Sequence, residues 1–390
     1  MKIEKNIAIE IKRIGGQTYY VGGYVRDQFL GIENKDIDIE VHGVSTQDLY
    51  KVLNKIGKPL SYGKSFGVYS LKGYNIDIAL PRSEVKIGKG HKDFRVDVDP
   101  NIGTTKAIQR RDFTINAIYK NVLTGKIVDP FNGVQDIKSK TIRYVDEKPF
   151  PEDPLRVLRG CQFASRFNFK IDSKTINLCK NIDLTTLSKQ RVEDELKKCL
   201  LKGKPSIFFK YLNKMNQNQY WFKETKDVND KAIKYRDKVN HPYEFMLTSL
   251  CLNLSRREVD NLLDRFISKK ETKEYILNMY DLSKKKISSE YSMNKMFDSS
   301  IDPIDLIYIR SINKNNVKTL NDKYYEYQRI MSKPYLKGKD IQNIETENKE
   351  NYSKALKYAH ELRLKNVPYD KALKLTVNYL NKLNKISKSN

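Results

Sequence analysis

Apolar and polar residues recur with two different periods along this chain, and the change from one to the other divides it. Over the first 140 residues short β-rich runs stand out, several with period-two alternation: Tyr19-Tyr20-Val21, Ile37-Asp38-Ile39-Glu40-Val41, Val68-Tyr69-Ser70-Leu71 and Ile76-Asp77-Ile78-Ala79-Leu80, separated by Gly-rich turns. Between them Thr46 to Ile56 has helical spacing, and Ser45 stands where an N-cap belongs. From about residue 150 the strand pattern fades. Pro154 to Phe163, Val192 to Leu201, Ala232 to Asp237, Arg257 to Phe266 and Tyr352 to Lys365 space their apolar residues as helices do. The pattern predicts a small α/β segment followed by a mostly helical remainder. Arg82 to Thr105, rich in Gly, Lys and Asp with little periodicity, is expected to be a long mobile loop. The polar run Asn343 to Asn351 reads as a loop or domain edge, and no internal repeat is visible.

Composition narrows the class. With 390 residues, 39% hydrophobic and 31% charged, the chain suits a soluble globular protein of two to four domains and not a disordered one. No window approaches the roughly 18 consecutive apolar residues of a membrane span, and Met1-Lys2-Ile3-Glu4-Lys5 lacks the apolar core of a leader, so a cytoplasmic protein is expected. Cys161, Cys179, Cys199 and Cys251 show no CxxC spacing and are expected to be packing thiols. His42, His91, His241 and His360 stand apart from one another and are assigned surface or packing roles. The formal charge is +25, and of the 73 basic residues 18 are Arg and 55 Lys. Together with abundant Asn, Ile and Tyr, this looks like the coding bias of an AT-rich genome, which spreads Lys over a surface without regard to function. Placement says more than the total. Residues 1–140 carry +7, the rest +18, and the last 60 residues alone carry +7, which fits a polyanionic partner.

Two features of the α/β segment carry chemistry. Tyr20-Val21-Gly22-Gly23-Tyr24-Val25-Arg26-Asp27 reads as a strand, a Gly-Gly turn and a short helix; paired glycines let a ligand approach the backbone, the opening N–H groups form an anion site, and Arg26 is one turn in. Next comes Lys35-Asp36-Ile37-Asp38-Ile39. On a strand, Asp36 and Asp38 project from one face while Ile37 and Ile39 enter the core. Two like carboxylates side by side need a cation between them, and a pair of Mg²⁺ ions bridging a nucleoside triphosphate is the usual solution. Asp77, in another predicted strand, offers a third carboxylate. Alone, a GG turn is more often a structural turn and a DxD more often an exposed edge. Ten residues apart they are far more specific.

In order and spacing, GGYVRD, DID, Arg110-Arg111-Asp112-Phe113-Thr114-Ile115-Asn116-Ala117, Asp129-Pro130-Phe131-Asn132-Gly133 and Glu152-Asp153-Pro154-Leu155-Arg156-Val157-Leu158-Arg159 resemble the class II tRNA nucleotidyltransferase and bacterial poly(A) polymerase family. The strong motifs span residues 19 to about 170. A weaker likeness continues through Leu187 to Leu196, Lys337-Gly338-Lys339-Asp340 and Ala359-His360-Glu361-Leu362. The resemblance implies an α+β fold: a polymerase-beta-like nucleotidyltransferase head with a small mixed sheet (1–140), then an all-α neck (141–200), body (201–330) and tail (331–390). It implies an enzyme in which an RNA 3′-hydroxyl attacks the α-phosphate of CTP or ATP and expels pyrophosphate, with Asp36 and Asp38 carrying two Mg²⁺ ions. Gly22, Gly23, Arg26 and Arg111 would contact the nucleotide, Asp112 would brace the arginines, and Asn116 would touch the sugar or stabilise its own helix.

Asp153, Arg156 and Arg159, three apart on an expected helix, would share a face; out of context this is an exposed ion pair. Within the resemblance it is a nucleotide reader. Cytosine and adenine each present an amino donor beside a ring-nitrogen acceptor, which an accepting Asp and a donating Arg match. Guanine and uracil reverse the order and leave groups unmet, at roughly 1–3 kcal/mol each. Arg159 would meet the triphosphate or orient Arg156. Lys337, Lys339, Lys354 and Lys357 are the candidate contacts to tRNA phosphates. Three departures stand out: Gln162 where relatives often have a further Arg, Gln190 where they have Glu, and no adjacent His-Asp dyad in Met246 to Asn253. Complete CCA addition is the expected activity, favoured by the full-length segment after Asp77. Poly(A), CC-only or A-only addition is the first alternative, and a catalytically dead RNA-binding protein the second. No protein partner is evident.

Overall fold

The computed structural model describes residues 2–61, 67–86, 94–225, 227–314, 316–333, 335–344, 346 and 348–389. It contains two compact units, residues 1–230 with 264–268, and residues 231–263 with 269–390.

The first unit opens with α1 (Ile3–Arg13), β1 (Gln17–Tyr20), α2 (Gly22–Phe29), β2 (Ile37–His42), α3 (Thr46–Ile56), β3 (Pro59–Ser61), β4 (Val68–Leu71) and β5 (Ile76–Ala79). α3 forms where the spacing places it: the Ser45 side chain accepts from the Asp48 N–H at 3.1 Å, and Leu49, Val52 and Leu53 are buried at i, i+3, i+4. A seven-stranded sheet runs in the order β3-β4-β5-β2-β1-β8-β9, where β8 (Tyr119–Asn121) and β9 (Ile127–Val128) come later in the chain. β2 and β5 are parallel and the other neighbours antiparallel, so the sheet is mixed as expected.

The segment after β5 differs from expectation. Instead of a loop, β6 (Arg82–Lys86) and β7 (Phe94–Val98) pair antiparallel from Arg82 opposite Val98 to Lys86 opposite Phe94, and α4 (Thr104–Gln109) follows. Backbone pairing needs no apolar face, and Phe94, Val96 and Val98 carry an alternation that the polar stretch between the strands obscures. Residues 87–93, with Gly88, Gly90 and His91, lie outside the described residues.

After α5 (Gly133–Lys138) comes a small departure from all-α structure: β10 (Thr141–Ile142) pairs in parallel with β11 (Lys170–Ile171), which follows α6 (Leu155–Phe167). α7 (Ser173–Cys179), α8 (Lys189–Lys202) and α9 (Pro205–Lys214) complete the ordered helices of this part. Leu158, Cys161, Ala164, Leu196, Cys199, Leu200, Phe208 and Leu212 are fully buried, the apolar faces of α6, α8 and α9. Asn168 ends α6 in the left-handed region at φ 56.

In the second unit, Ile233–Lys238 is a 3₁₀ turn where an α-helix over Ala232 to Asp237 was expected. Buried Ala232 and Tyr235 are three apart, which a three-residue turn satisfies as well as an α-helix does. Then follow α10 (Pro242–Cys251), α11 (Arg256–Phe266, whose residues from 264 on count with the first unit), α12 (Lys270–Lys284), α13 (Glu290–Phe297), α14 (Pro303–Ser311), α15 (Val317–Ser332), α16 (Gly338–Ile341), α17 (Lys349–Leu364) and α18 (Tyr369–Ser389). The last two form a helical hairpin around Ile341, Ala355 and Leu380, with Tyr358 and Tyr379 rings 4.6 Å apart. All four cysteines are free and buried. Burial pushes the Cys161 thiol well up and the Cys179 thiol up to about 12, as packing thiols require. Among the described residues no helix is long and apolar enough to cross a membrane.

Candidate active site

The turn between β1 and α2 sets one wall. Val21 is extended at φ −141 and its N–H donates to the Asp38 carbonyl at 3.0 Å, so the chain leaves the sheet beside β2. Gly22 then takes φ +63, and a Cβ there would sit 3.1 Å from Arg111 Nη1 and 3.9 Å from Asp38 Oδ2. Only glycine combines that backbone with that approach.

Arg26 is 4% exposed and fully engaged. Its Nε donates to Asp27 Oδ1 at 2.8 Å and its Nη1 to Asn116 Oδ1 at 2.6 Å, while the guanidinium lies 4.7 Å from the Phe167 ring centroid. Asn116 in turn donates to Asp112 Oδ1 at 3.0 Å, and Asp112 Oδ2 receives Arg159 Nε at 2.8 Å and Nη2 at 2.7 Å. Arg159 Nη1 also lies 3.8 Å from Glu195 Oε1. Charges therefore alternate through the buried floor. Burial works against the Asp112 charge, but Arg159, Asn116 and the Phe113 N–H outweigh it and hold this carboxyl below its ordinary range.

Asp38 and Asp77 face one another across β2 and β5, in direct register. Asp36 does not lie on the strand: β2 begins at Ile37, and Asp36 is exposed immediately before it, its N–H bonded to Asn34 Oδ1 at 3.0 Å. Burial first, then the charge of Asp77 and, more weakly, Asp36, raises the Asp38 carboxyl to about 6 against the opposing pull of Arg111 and Arg26. Such a carboxylate is short of positive charge. Among the described residues no three His, Cys, Asp or Glu side chains stand ready to enclose a metal ion. Magnesium commonly takes one or two carboxylates and completes its shell from water and substrate phosphates, so Asp38 in the cleft, with Asp77 opposite it, fits it, while Asp36 stands just outside the lining.

Glu40, two residues on from Asp38, carries a role that the sequence reading missed. It is 1% exposed; Oε1 accepts from Tyr119 Oη at 2.7 Å and pairs with His42 Nε2 at 3.0 Å. Oε2 lies 3.5 Å from Arg111 Nη2 and 3.7 Å from Arg110 Nη2. Burial opposes its charge, yet the bond from His42, the two arginines and Tyr119 hold it down at about 2. Arg111 also lies 5.0 Å over the Tyr119 ring. Its pKa is raised: burial works against the charge, and Tyr119 and Glu40 outweigh it. The strand alternation that brought out Asp38 extends to Glu40, and Arg110, beside the expected Arg111, had no separate signal in the sequence.

A cleft of about 390 Å³ brings together Gly22, Gly23, Arg26, Asp38, Asp77, Arg111, Asp112, Asn116 and Arg159, and adds Glu40, Arg82 and Arg110. Asp36, Asp153 and Arg156 are not among its lining residues. Asp153 departs from the expected helix. It is extended at φ −115, ψ 99 because the following Pro154 disfavours the helical region, so only Arg156 and Arg159 sit on α6. Arg191 Nη2 lies 3.0 Å from both Asp153 oxygens, and the Leu155 N–H donates to Oδ1 at 3.1 Å. Arg156 donates to the Pro149 and Arg110 carbonyls at 2.8 Å each. Asp153 and Arg156 are thus satisfied separately. Gln190 bonds Asp194 at 2.9 Å within α8, and Gln162 is 2% exposed in α6.

In the second unit, Lys337, Lys339, Lys354 and Lys357 are all exposed, with Lys354 Nζ 3.5 Å from Glu350.

A mixed sheet with a glycine turn, strand-borne aspartates and an arginine-lined cleft defines the class of the head: residues 18–143 match the family described as Poly A polymerase head domain. The likeness read from the motifs is borne out there. Among named relatives, the chain is 38% identical over 216 residues to a multifunctional CCA protein of Pseudoalteromonas atlantica, covering 53% of this chain and 51% of that one. It is 36% identical over 225 residues to a CCA-adding enzyme of Alteromonas mediterranea, covering 56% and 55%. The chain spans about half the length of the curated relatives it matches. The fold extends further. A CCA-adding enzyme solved with ATP superposes with TM-score 0.70 at 20% identity over 95% of this chain and 91% of that one. The Thermotoga maritima CCA-adding enzyme complexed with tRNA_CCA gives 0.66 at 20% over 96% and 94%.

Proposed function

We propose that this protein is a CCA-adding tRNA nucleotidyltransferase that extends the 3′ end of tRNA with C, C and A from CTP and ATP in the cytoplasm. The observation that carries the reading is Asp38: a half-buried carboxylate opposite Asp77, short of positive charge, on one side of a cleft whose other wall is arginine. Carboxylates facing arginines suit a polyphosphate bridged by cations, with the 3′-hydroxyl attacking the α-phosphate and pyrophosphate leaving. Two Mg²⁺ ions held at Asp36 and Asp38, with Asp77 adjacent, would activate the hydroxyl and neutralise the leaving phosphates. Arg111 and the opening N–H groups of α2 would meet the triphosphate. Arg26 and Arg159, locked by Asp27, Asn116 and Asp112, would supply a fixed positive field rather than flexible contacts.

Base choice falls to Asp153 and Arg156 in the neck, each exchanging its present partner for the base edge. The helical body and the Lys-bearing tail would hold tRNA through its phosphates. The name of the head's matching family favours poly(A) addition as the second reading. Transcripts ending before CCA, after C and after CC, each incubated with one labelled nucleotide and Mg²⁺, separate the readings. C, C, A and then arrest is expected. Long A tails on any RNA would establish the second reading, and no incorporation would leave an RNA-binding protein.

A further inference from the structure

Arg110 and Arg111 are consecutive, largely buried and both directed at the cleft, an arrangement that two like charges resist. One carboxylate answers both. Glu40 Oε2 lies 3.5 Å from Arg111 Nη2 and 3.7 Å from Arg110 Nη2, and the other oxygen is fixed by Tyr119 at 2.7 Å and His42 at 3.0 Å. The guanidinium of Arg111 therefore has one committed terminal nitrogen and one open one. Nη2 faces Glu40 and Tyr119, the latter at 3.3 Å; Nη1 lies beside the Gly22 turn, and Nε is buried without a hydrogen-bond partner. A guanidinium held through one terminal nitrogen presents the other in a fixed plane, which suits directed donation to a phosphate oxygen.

We propose that Glu40 is a positioning residue for nucleotide binding: it sets the plane of Arg111 so that Nη1 faces the triphosphate, and it is not a metal ligand. The strand pattern alone argues the opposite, since Glu40 shares the face of Asp36 and Asp38 and would pass for a third metal carboxylate. Its position refutes that. Glu40 is buried with hydrogen bonds or ion pairs to four side chains, whereas a metal ligand keeps lone pairs directed at the open cleft.

This inference rests on the nucleotidyltransferase reading and deepens it, and one set of measurements tests them apart. CTP binding with Mg²⁺ is measured by calorimetry for the wild type, E40Q, E40D, R111A and E40Q/R111A. Single-turnover extension of a tRNA transcript ending in C is followed across Mg²⁺ concentrations. E40Q should weaken CTP binding about tenfold, with the rate at saturating CTP and the Mg²⁺ half-saturation nearly unchanged. The double variant should bind no worse than R111A, because Glu40 acts through that side chain. E40D, which keeps the charge at shorter reach, should fall between wild type and E40Q, and it decides the matter if E40Q does not fold. Wild-type binding by E40Q, or by E40D where E40Q fails to fold, overturns the proposal. So do additive losses in the double variant, or a collapse of rate with a raised Mg²⁺ requirement. If the wild type binds neither CTP nor ATP, it is the proposed function that fails.

Discussion

The cleft and the C-terminal hairpin both carry positive charge, and they use it in opposite ways. In the head and neck Arg26, Arg111 and Arg159 are each paired to a carboxylate, set against aromatic rings and largely withdrawn from water. In the hairpin, Lys354 and Lys357 stand exposed on one helix, with Lys337 and Lys339 exposed just before it. Paired, buried charge costs desolvation and gains direction; exposed charge costs little and gains only long-range attraction. The +25 of this chain is thus two populations. The fixed one suits a small, stereochemically demanding ligand, and the loose one suits a long polyanion.

The sharpest way to break this contrast is at the carboxylates that face the fixed arginines. Asp38→Asn should reduce nucleotide incorporation by about three orders of magnitude, since it removes several kcal/mol of transition-state stabilisation, while tRNA retention on a filter stays within about twofold. Retained incorporation would end the metal assignment. Asp112→Asn comes next. It leaves Arg159 without its main partner, and melting should show a loss of about 3 kcal/mol at neutral pH. The folded Asp112 carboxyl is depressed, so its contribution is fully present above the unfolded value of about 3.9 and is lost as pH falls below it. The gap between wild type and Asp112→Asn should therefore narrow as melts are taken from pH 5 to pH 3; a constant gap would refute the ion-pair account.

Smaller effects test the reader. Asp153→Ala removes the accepting carboxylate and should relax discrimination of CTP over UTP by about tenfold, the worth of one unmet polar group, in competition assays, whereas Arg191→Ala only frees that carboxylate and should leave discrimination in place. Selectivity unchanged by Asp153→Ala would remove base reading from this position. Least of all, each single Lys→Ala at 337, 339, 354 or 357 should weaken tRNA binding about two- to threefold and flatten its salt dependence, leaving CTP affinity alone. A loss of CTP affinity there would abolish the contrast itself.

What could be read from the sequence divides along the same line. Strands and α3 were legible because local pattern and capping chemistry agree, and Asp38 was legible because one face of a strand repeats every two residues. The β6–β7 pairing was hidden, since an antiparallel ladder rests on backbone groups that no side chain announces. The three-residue spacing of Asp153, Arg156 and Arg159 points to one helix face, but Pro154 keeps the residue before it out of the helix. Glu40 was visible yet passed over: nothing in a linear pattern says that a carboxylate faces two arginines from 70 and 71 residues further on.

The four cysteines have a practical side. None presents its sulfur to solvent, and burial suppresses thiolate at Cys161 and Cys179. The native exterior is consequently blank toward maleimides. A single cysteine introduced at Lys357 would become the selective attachment point for a fluorophore, so that the proposed tRNA contact at the hairpin could be tested in real time without stripping the core of its native thiols.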